Sequence, residues 1–280
     1  MTHNLLDELI RYDRDVQRDQ RRRTLDPFPD TETMVDIVRH SDLLRALLVE
    51  PLDRREIERT LEVSRATSHR FVRWLEEHGY GERVDDRYRL TGLGTVVADG
   101  VCKFEAYLRT ARRLDPLFEY ICEDHEELVI EPFADATVTV ATPADPYAPI
   151  ARFLSLLRES DSFSGFNTTH MIPPGTEKSD DRLLEDRTVE LVYVPDTVEA
   201  LRDELGTDLS TAIDEGDVTV RTREALPYGL AVFDDRVGIG GYDDETGTMR
   251  VFVDTDAAIA REWALWVFDS IRADSRPLSS

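Results

Sequence analysis

Residues 52–94, LDRREIERTLEVSRATSHRFVRWLEEHGYGERVDDRYRLTGLG, decide how the N-terminal third of the chain is read. Asp53 stands where a helix N-cap belongs, and Glu56 follows three residues on, the spacing of a capping box. Ile57 and Leu61 give that short helix one apolar side. Glu62-Val63-Ser64 makes the turn, and Ser64 can accept from the first amides of a second helix. In that helix Ser68, Phe71, Val72 and Leu75 share one face at 3 and 4 spacing, while Ala66, Arg70 and Arg73 point the other way. Gly79 stops the helix, and Glu82 to Leu90 alternates about Asp85-Asp86 as the arms of a hairpin do. A capped helix pair whose second member offers arginine on its free side, with an arginine-bearing hairpin next to it, predicts a winged helix-turn-helix. The second helix then has the dimensions of a DNA major groove.

That prediction assigns roles to particular side chains. Arg65, Thr67, His69, Arg70 and Arg73 are the candidates to reach base edges or phosphates of double-stranded DNA, and Arg87 and Arg89 to hold the hairpin on the backbone. Arg65 and Arg83 serve equally well as solvated residues paired with a nearby carboxylate. Ser68 occupies a position where such helices usually bury an aliphatic side chain, which predicts looser packing beneath the second helix.

With 34 Lys+Arg against 58 Asp+Glu, the 280-residue chain carries a net charge of −24, which taken whole opposes DNA binding. The distribution removes the objection. Residues 1–30 hold 6 basic and 7 acidic side chains, residues 31–95 hold 11 and 13, and the remaining 185 residues hold 17 and 38. The excess acid therefore lies almost entirely outside the segment expected to meet DNA. Lys103 and Lys178 are the only lysines. Abundant carboxylates with hardly any lysine resemble the composition of a salt-in halophile, in which the Debye length falls to roughly 3 Å and non-specific phosphate attraction weakens steeply. No apolar run approaches the roughly 18–20 residues of a membrane span, and Met1–Arg11 has no signal-peptide pattern, so a cytoplasmic protein is expected. Cys102 and Cys122, the only cysteines, lack Cys-X-X-Cys or Cys/His spacing. No metal or cofactor is expected, and the two thiols read as small residues of a linker helix rather than as a redox switch.

Four segments follow from the rest of the chain. Residues 1–30 form an N-terminal extension, helical over 1–24 with Leu5, Leu6, Leu9 and Ile10 on one face; Arg21-Arg22-Arg23 is either an arm on DNA or a solvated helix end. Residues 31–95 are the winged helix-turn-helix domain. Residues 96–125 are a linker and dimerisation helix, because Val97, Val101, Phe104, Leu108 and Ala111 alternate 4 and 3 as a coiled-coil seam does. The other role for that seam is packing against its own winged domain. Residues 126–280 alternate strand and helix: strands at 136–140, 189–194 and 217–222, helices at 149–160 and from Asp196, then a meander over 230–253 and a last helix at 256–272. The fold class is accordingly α+β, a winged helix-turn-helix joined by a long helix to an α/β domain.

Catalysis finds no support in the sequence. There is no Gly-X-Ser-X-Gly, phosphate loop or His-Glu-X-X-His, and Gly238-Ile239-Gly240-Gly241 lies inside the meander, where close packing explains it. Asp243-Asp244-Glu245 reads as an acidic hairpin turn rather than a cation site. The Tyr228–Asp235 segment faintly resembles the core of a phospholipase D half, but Tyr228 and Leu230 replace the required His and Lys. Polar and aromatic residues near strand and helix ends, chiefly Tyr147, Arg152, Tyr193 and Tyr242, with Asp145 and His170, are the candidates for a small-molecule effector pocket.

The later segments ADATVTVATPADPYAPIARFLSLLRE (134–159), VELVYVP (189–195) and LPYGLAVFDDRVGIGGYD (226–243), with the Trp-rich last helix, follow the winged pattern. Together they resemble the haloarchaeal transcriptional regulators of the methanogenesis-regulatory-protein type, over roughly residues 35–275. The resemblance implies an N-terminal winged helix and a C-terminal regulatory domain of that family, and carries over no ligand residues. The expected function is that of a dimeric, sequence-specific transcriptional regulator and not an enzyme. The rival is a winged module that docks another protein, with a small-molecule hydrolase behind it.

Overall fold

The computed structural model describes residues 31–121, 128–169, 187–201, 218–243 and 245–278. The expected N-terminal helix with Arg21-Arg22-Arg23, Cys122, His170 and Asp244 lie outside these residues. The chain divides into two compact units, one ending at Phe104 and the other beginning at Glu105.

In the first unit, α1 (Thr31–Arg39), α2 (Ser41–Val49), α3 (Arg54–Thr60) and α4 (Arg65–Glu77) precede a hairpin of β1 (Gly81–Val84) and β2 (Arg87–Leu90). The capping box at α3 forms as the spacing predicts. The Asp53 amide donates to Glu56 Oε2 at 2.7 Å, and the Arg55 and Glu56 amides donate to Asp53 Oδ1 at 2.7 and 2.8 Å. Ser64 caps α4 by accepting from the Thr67 amide at 3.2 Å. Gly79, at φ 67°, ends the helix in the left-handed conformation that costs glycine least. Asp85 and Asp86 both have positive φ, 47° and 67°, the signature of a two-residue type I′ hairpin turn. Leu43, Leu44, Leu47, Ile57, Val72 and Leu75 fill the core.

Ser68 is fully buried, and it does not leave the packing loose. Its Oγ lies 2.8 Å from Glu58 Oε1 and 3.0 Å from the Arg65 carbonyl, so its one proton ties α4 either to α3 or to its own preceding turn. The aliphatic contact expected at this position is replaced by a hydrogen bond.

A single 22-residue helix, α5 (Gly92–Arg113), runs across the division between the units, and Pro116 opens the short α6 (Asp115–Phe118) that follows it. The expected seam is shared out. Val97 and Val101 pack on the core of the first unit and Ala111 on that of the second. Phe104 and Leu108 remain exposed, and with them Leu93, Val96 and Tyr107. Packing against the winged domain thus accounts for two of the five positions of the expected seam, and packing in the second unit for a third.

The second unit is built on an eight-stranded mixed sheet of order β10-β6-β5-β4-β7-β8-β9-β3. Its strands are β3 (Thr137–Val140), β4 (Ser162–Asn167), β5 (Thr188–Tyr193), β6 (Val218–Thr222), β7 (Gly229–Val232), β8 (Val237–Tyr242), β9 (Met249–Thr255) and β10 (Arg276–Pro277). β4, β5 and β6 run parallel, and β7, β8 and β9 form the expected antiparallel meander. α7 (Ala148–Arg158) lies between β3 and β4 in the chain, residues 195–201 are helical, and α8 (Ala258–Ala273) precedes β10. Strand alternation feeds two cores. Leu230, Val232, Ile239, Val251 and Val253 join Trp263, Val267 and Ile271 of α8 in one. Ala231, Phe233, Phe252, Val189 and Tyr193 join Ile150, Leu156 and Leu157 of α7 in the other. Gly165 belongs to β4 because a Cβ there would stand 2.3 Å from the Leu230 carbonyl of the neighbouring strand, and Gly238 because a Cβ would meet the Phe252 ring at 2.2 Å.

Candidate nucleic-acid interface

α4 offers its exposed side as a short array of donors. Arg65, His69 and Arg70 are exposed, and Thr67 is half-buried with its hydroxyl 3.0 Å from Ser64 Oγ. Among the described residues, no ion pair or side-chain hydrogen bond engages Arg65, His69 or Arg70, and all three are exposed. α4 is held from behind. The His40 ring stacks on Trp74 at 3.9 Å and meets Phe71 edge-on at 5.1 Å, and its Nδ1 lies 2.7 Å from the Asp36 carbonyl. Burial there holds the imidazole below its ordinary pKa, outweighing the raising effect of the Asp36 carbonyl.

The remaining arginines are already engaged. Arg73 Nε donates to Glu77 Oε1 at 2.7 Å one turn along the helix. Arg83 pairs with Asp86 across the hairpin turn. Arg89 donates through Nε and Nη2 to Glu82 Oε1 at 2.9 and 2.7 Å. Arg87 reaches furthest from its own strand, donating to the Pro51 carbonyl at 2.7 Å and to Glu56 Oε1 at 2.9 Å. With the Leu52–Tyr88 backbone pair, Arg87 fastens the hairpin to the start of α3. It is a bracing residue in this structure, in contrast to the phosphate contact expected of it. Three arginines face three carboxylates over residues 81–90, so the hairpin is neutral as a unit. The engagement of Arg87 could not be read from sequence spacing, because its partners lie 31 and 36 residues away, whereas those of Arg73, Arg83 and Arg89 lie within seven.

In the second unit the four expected ligand residues divide into separate places. Tyr193 and Tyr242 come together at the carboxyl ends of the parallel strands, where the Tyr242 hydroxyl accepts from Asn167 Nδ2 at 2.7 Å. Burial raises both phenols well above their ordinary range. Arg152 is elsewhere, committed to Asp254 through Nε at 2.9 Å and Nη2 at 2.8 Å. Asp254 pairs with Gly238 and Tyr242 with Met249, so the two places lie at opposite ends of β8 and β9, on the order of 14 Å apart at 3.4 Å per residue. Tyr147 precedes α7 and is exposed. One pocket cannot take all four, and Arg152 serves the fold.

Tyr228 and Leu230 are buried in the sheet core at 3% exposure each, so the segment that resembles a phospholipase D half offers no reactive group there. Asp243 takes the turn role expected of it, accepting from the Thr246 amide and hydroxyl at 2.9 and 2.8 Å. Among the described residues, no cluster of three or more His, Cys, Asp or Glu side chains is placed to hold a metal, and no helix is long and apolar enough to cross a membrane.

Residues 29–113 match the family model of the HVO_A0261 N-terminal domain, and residues 146–274 match that of the methanogenesis regulatory protein FilR1, middle domain. The second of these matches lies within the second unit and covers a little under half of the chain. Among solved structures, TrmBL2, an archaeal chromatin protein with a novel mode of DNA binding, aligns over 84% of this chain and 92% of its own, at 13% identity and a TM-score of 0.41. NucT from Helicobacter pylori aligns over 51% of this chain and 99% of its own, at 12% identity and a TM-score of 0.38. Nuc from Salmonella typhimurium, a phospholipase D family member, aligns over 52% and 100%, at 14% identity and a TM-score of 0.38. A comparison with curated proteins gives no match.

Proposed function

We propose that this chain is a DNA-binding transcriptional regulator: a winged helix-turn-helix carried by α5 on a regulatory domain that responds to a small-molecule effector. The observation that carries the proposal is the division of labour on the first unit. The hairpin and the end of α4 have spent their arginines on carboxylates, whereas Arg65, His69 and Arg70 stand unpaired on the exposed side of a helix braced from behind. Unpaired donors on one helix face are what direct readout in a major groove requires. The match to a regulatory-protein domain supports the same function. Arg73 and Arg89 become phosphate contacts by exchanging a carboxylate for a phosphate, a trade that gains less than recruiting a free guanidinium.

The active species is a homodimer. Leu93, Val96, Phe104 and Tyr107 recur at helical spacing on α5 and remain 57%, 72%, 52% and 45% exposed, an apolar stripe fitted to a second copy of the helix. The lysine-poor, acid-rich composition suits a salt-rich cytoplasm, where base contacts must carry more of the specificity.

Two observations favour the rival reading, a winged module that docks a protein: the hairpin is neutral, and Met34, Val35 and Val38 of α1 are exposed. The test is binding of the full-length protein to DNA from its own upstream region in high KCl, beside Arg65→Ala/Arg70→Ala and Arg87→Ala. Saturable wild-type binding that the first variant loses, by roughly 1–3 kcal/mol for each good base contact, supports the DNA reader. No saturable binding by the wild type across a salt series and with other genomic fragments transfers the assignment to protein docking.

A further inference from the structure

A cleft of about 360 Å3 opens at the carboxyl ends of β5 and β6, lined by Pro195, Thr222, Arg223, Glu224, Asp274 and Arg276, with Ala225. Its position follows from the sheet. Thr222 is the last residue of β6 and pairs with Tyr193 of β5 on one side and with Arg276 of β10 on the other. Pro195 begins the helical segment after β5. The carboxyl ends of parallel strands are where open α/β sheets place their ligands, and the volume falls at the small end of the range of about 300–1,000 Å3 typical of small-molecule sites.

Four ionised side chains share this cleft, and none of them is neutralised. Among the described residues, neither guanidinium, Arg223 or Arg276, makes an ion pair or side-chain hydrogen bond, and neither carboxylate, Glu224 or Asp274, accepts one. Several other guanidinium groups of the unit find acceptors, although Arg109, Arg112 and Arg250 do not among the described residues. Arg152 and Arg236 hold Asp254, Arg221 holds Ser275, Arg272 holds Glu190, Arg187 holds the Leu157 and Arg158 carbonyls, and Arg261 holds the Asp234 carbonyl. Two guanidiniums and two carboxylates that line one concavity without closing on each other keep their hydrogen-bonding capacity for something that enters it.

The balance of charge selects the ligand. A lone anion gains the arginines but meets Glu224 and Asp274, and a lone cation meets the reverse. A compact molecule carrying both charges satisfies all four groups. We infer that this cleft binds a small zwitterion of the free amino-acid type, its carboxylate held by Arg223 and Arg276 and its ammonium by Glu224 and Asp274. Thr222 supplies a hydroxyl beside them, and Pro195 and Ala225 form an apolar wall for a short side chain. The inference rests on the effector-responsive half of the function proposed above and gives that effector a chemical class.

Titration of the full-length protein with each of the twenty common amino acids in high-KCl buffer, by calorimetry and thermal shift and with no DNA present, tests it independently of the DNA-binding assignment. Saturable binding of at least one amino acid is expected, weakened roughly tenfold or more in both Arg223→Gln/Arg276→Gln and Glu224→Gln/Asp274→Asn. The methyl ester and the N-acetyl derivative of that amino acid are expected to lose binding as well. Unshifted thermal unfolding of the ligand-free variants establishes that they are folded, since the substituted side chains hold no partners among the described residues. Failure of all twenty to bind, binding unchanged in either variant, or succinate binding as tightly as the amino acid overturns the inference.

Discussion

Asp254 is the most demanding electrostatic commitment in the second unit, and replacing it gives the most exacting test of the fold. Its side chain is fully buried, and two arginines converge on it. Arg152 contacts Oδ1 and Oδ2 at 2.9 and 2.8 Å, and Arg236 contacts Oδ2 at 3.1 and 2.8 Å while also reaching Asp256 at 3.4 Å. Asp254→Asn removes the charge and turns an amide NH2 toward guanidinium N–H groups, leaving donor against donor. Breaking a buried ion pair from one side costs about 3–5 kcal/mol. The arginine side chains are 33% and 24% exposed, so water recovers part of their solvation and places the cost near the lower limit, about 3 kcal/mol. Arg152→Met is milder, about 1–2 kcal/mol, because Arg236 still neutralises Asp254. Urea unfolding followed by tryptophan fluorescence in a Trp74→Phe background isolates this unit, which holds Trp263 and Trp266. A midpoint shift worth less than about 1 kcal/mol for Asp254→Asn at unchanged m, or a larger loss for Arg152→Met than for Asp254→Asn, would refute the reasoning.

Four further outcomes follow from individual contacts. Ser68→Ala should lower the stability of the first unit by about 1–2 kcal/mol, seen in the unfolding of Trp74 fluorescence, because Glu58 loses its buried donor; a neutral result would show that Arg65 O alone held the hydroxyl. Asp85→Asn/Asp86→Gly should stabilise the same unit by roughly 0.5–1 kcal/mol in thermal unfolding, since both positions have positive φ that the new residues adopt more readily. Phe104→Glu should shift the species seen in sedimentation velocity from dimer to monomer without unfolding α5, and a retained dimer would place the interface elsewhere. The Asp53 carboxyl is held low chiefly by the Glu56 amide, and that of Asp234 chiefly by the Ser162 hydroxyl, with the Asp161 and Ser162 amides also donating to it. A carboxyl whose folded pKa is depressed adds stability above its unfolded value, near 3.8, and loses it as pH falls through the lower folded value. Acid titration monitored by circular dichroism should therefore show stability constant from neutrality to about pH 5 and lost below about pH 4, and Asp234→Asn should flatten that loss.

Local chemistry was legible in the sequence wherever the partners are close in the chain. Asp53 and Glu56, Ser64 and Thr67, Asp85-Asp86 and the alternation of β7 to β9 involve neighbours a few residues apart, so residue type and spacing contain the information. β4 was not legible. Ser162-Phe-Ser-Gly-Phe-Asn has the composition of a turn, yet it is an interior strand, and its glycine answers to the Leu230 carbonyl 65 positions away. The short β10 escaped for a similar reason: Arg276-Pro277 becomes a strand only because β6 offers an edge.

The candidate sites divide along the same line. That α4 would turn Arg65, His69, Arg70 and Arg73 outward was determined by the sequence alone, because helical periodicity sets the direction of a side chain from its own neighbours. Which arginines remain available was decided only by the tertiary structure. Arg87 is drawn to Pro51 and Glu56 and Arg152 to Asp254, while the Arg223 and Arg276 guanidiniums have no side-chain partner among the described residues. Charge pairing depends on separation in space, and it is the crossing of the chain in the sheet, not order along it, that brings residues 152 and 254, or 223 and 276, together.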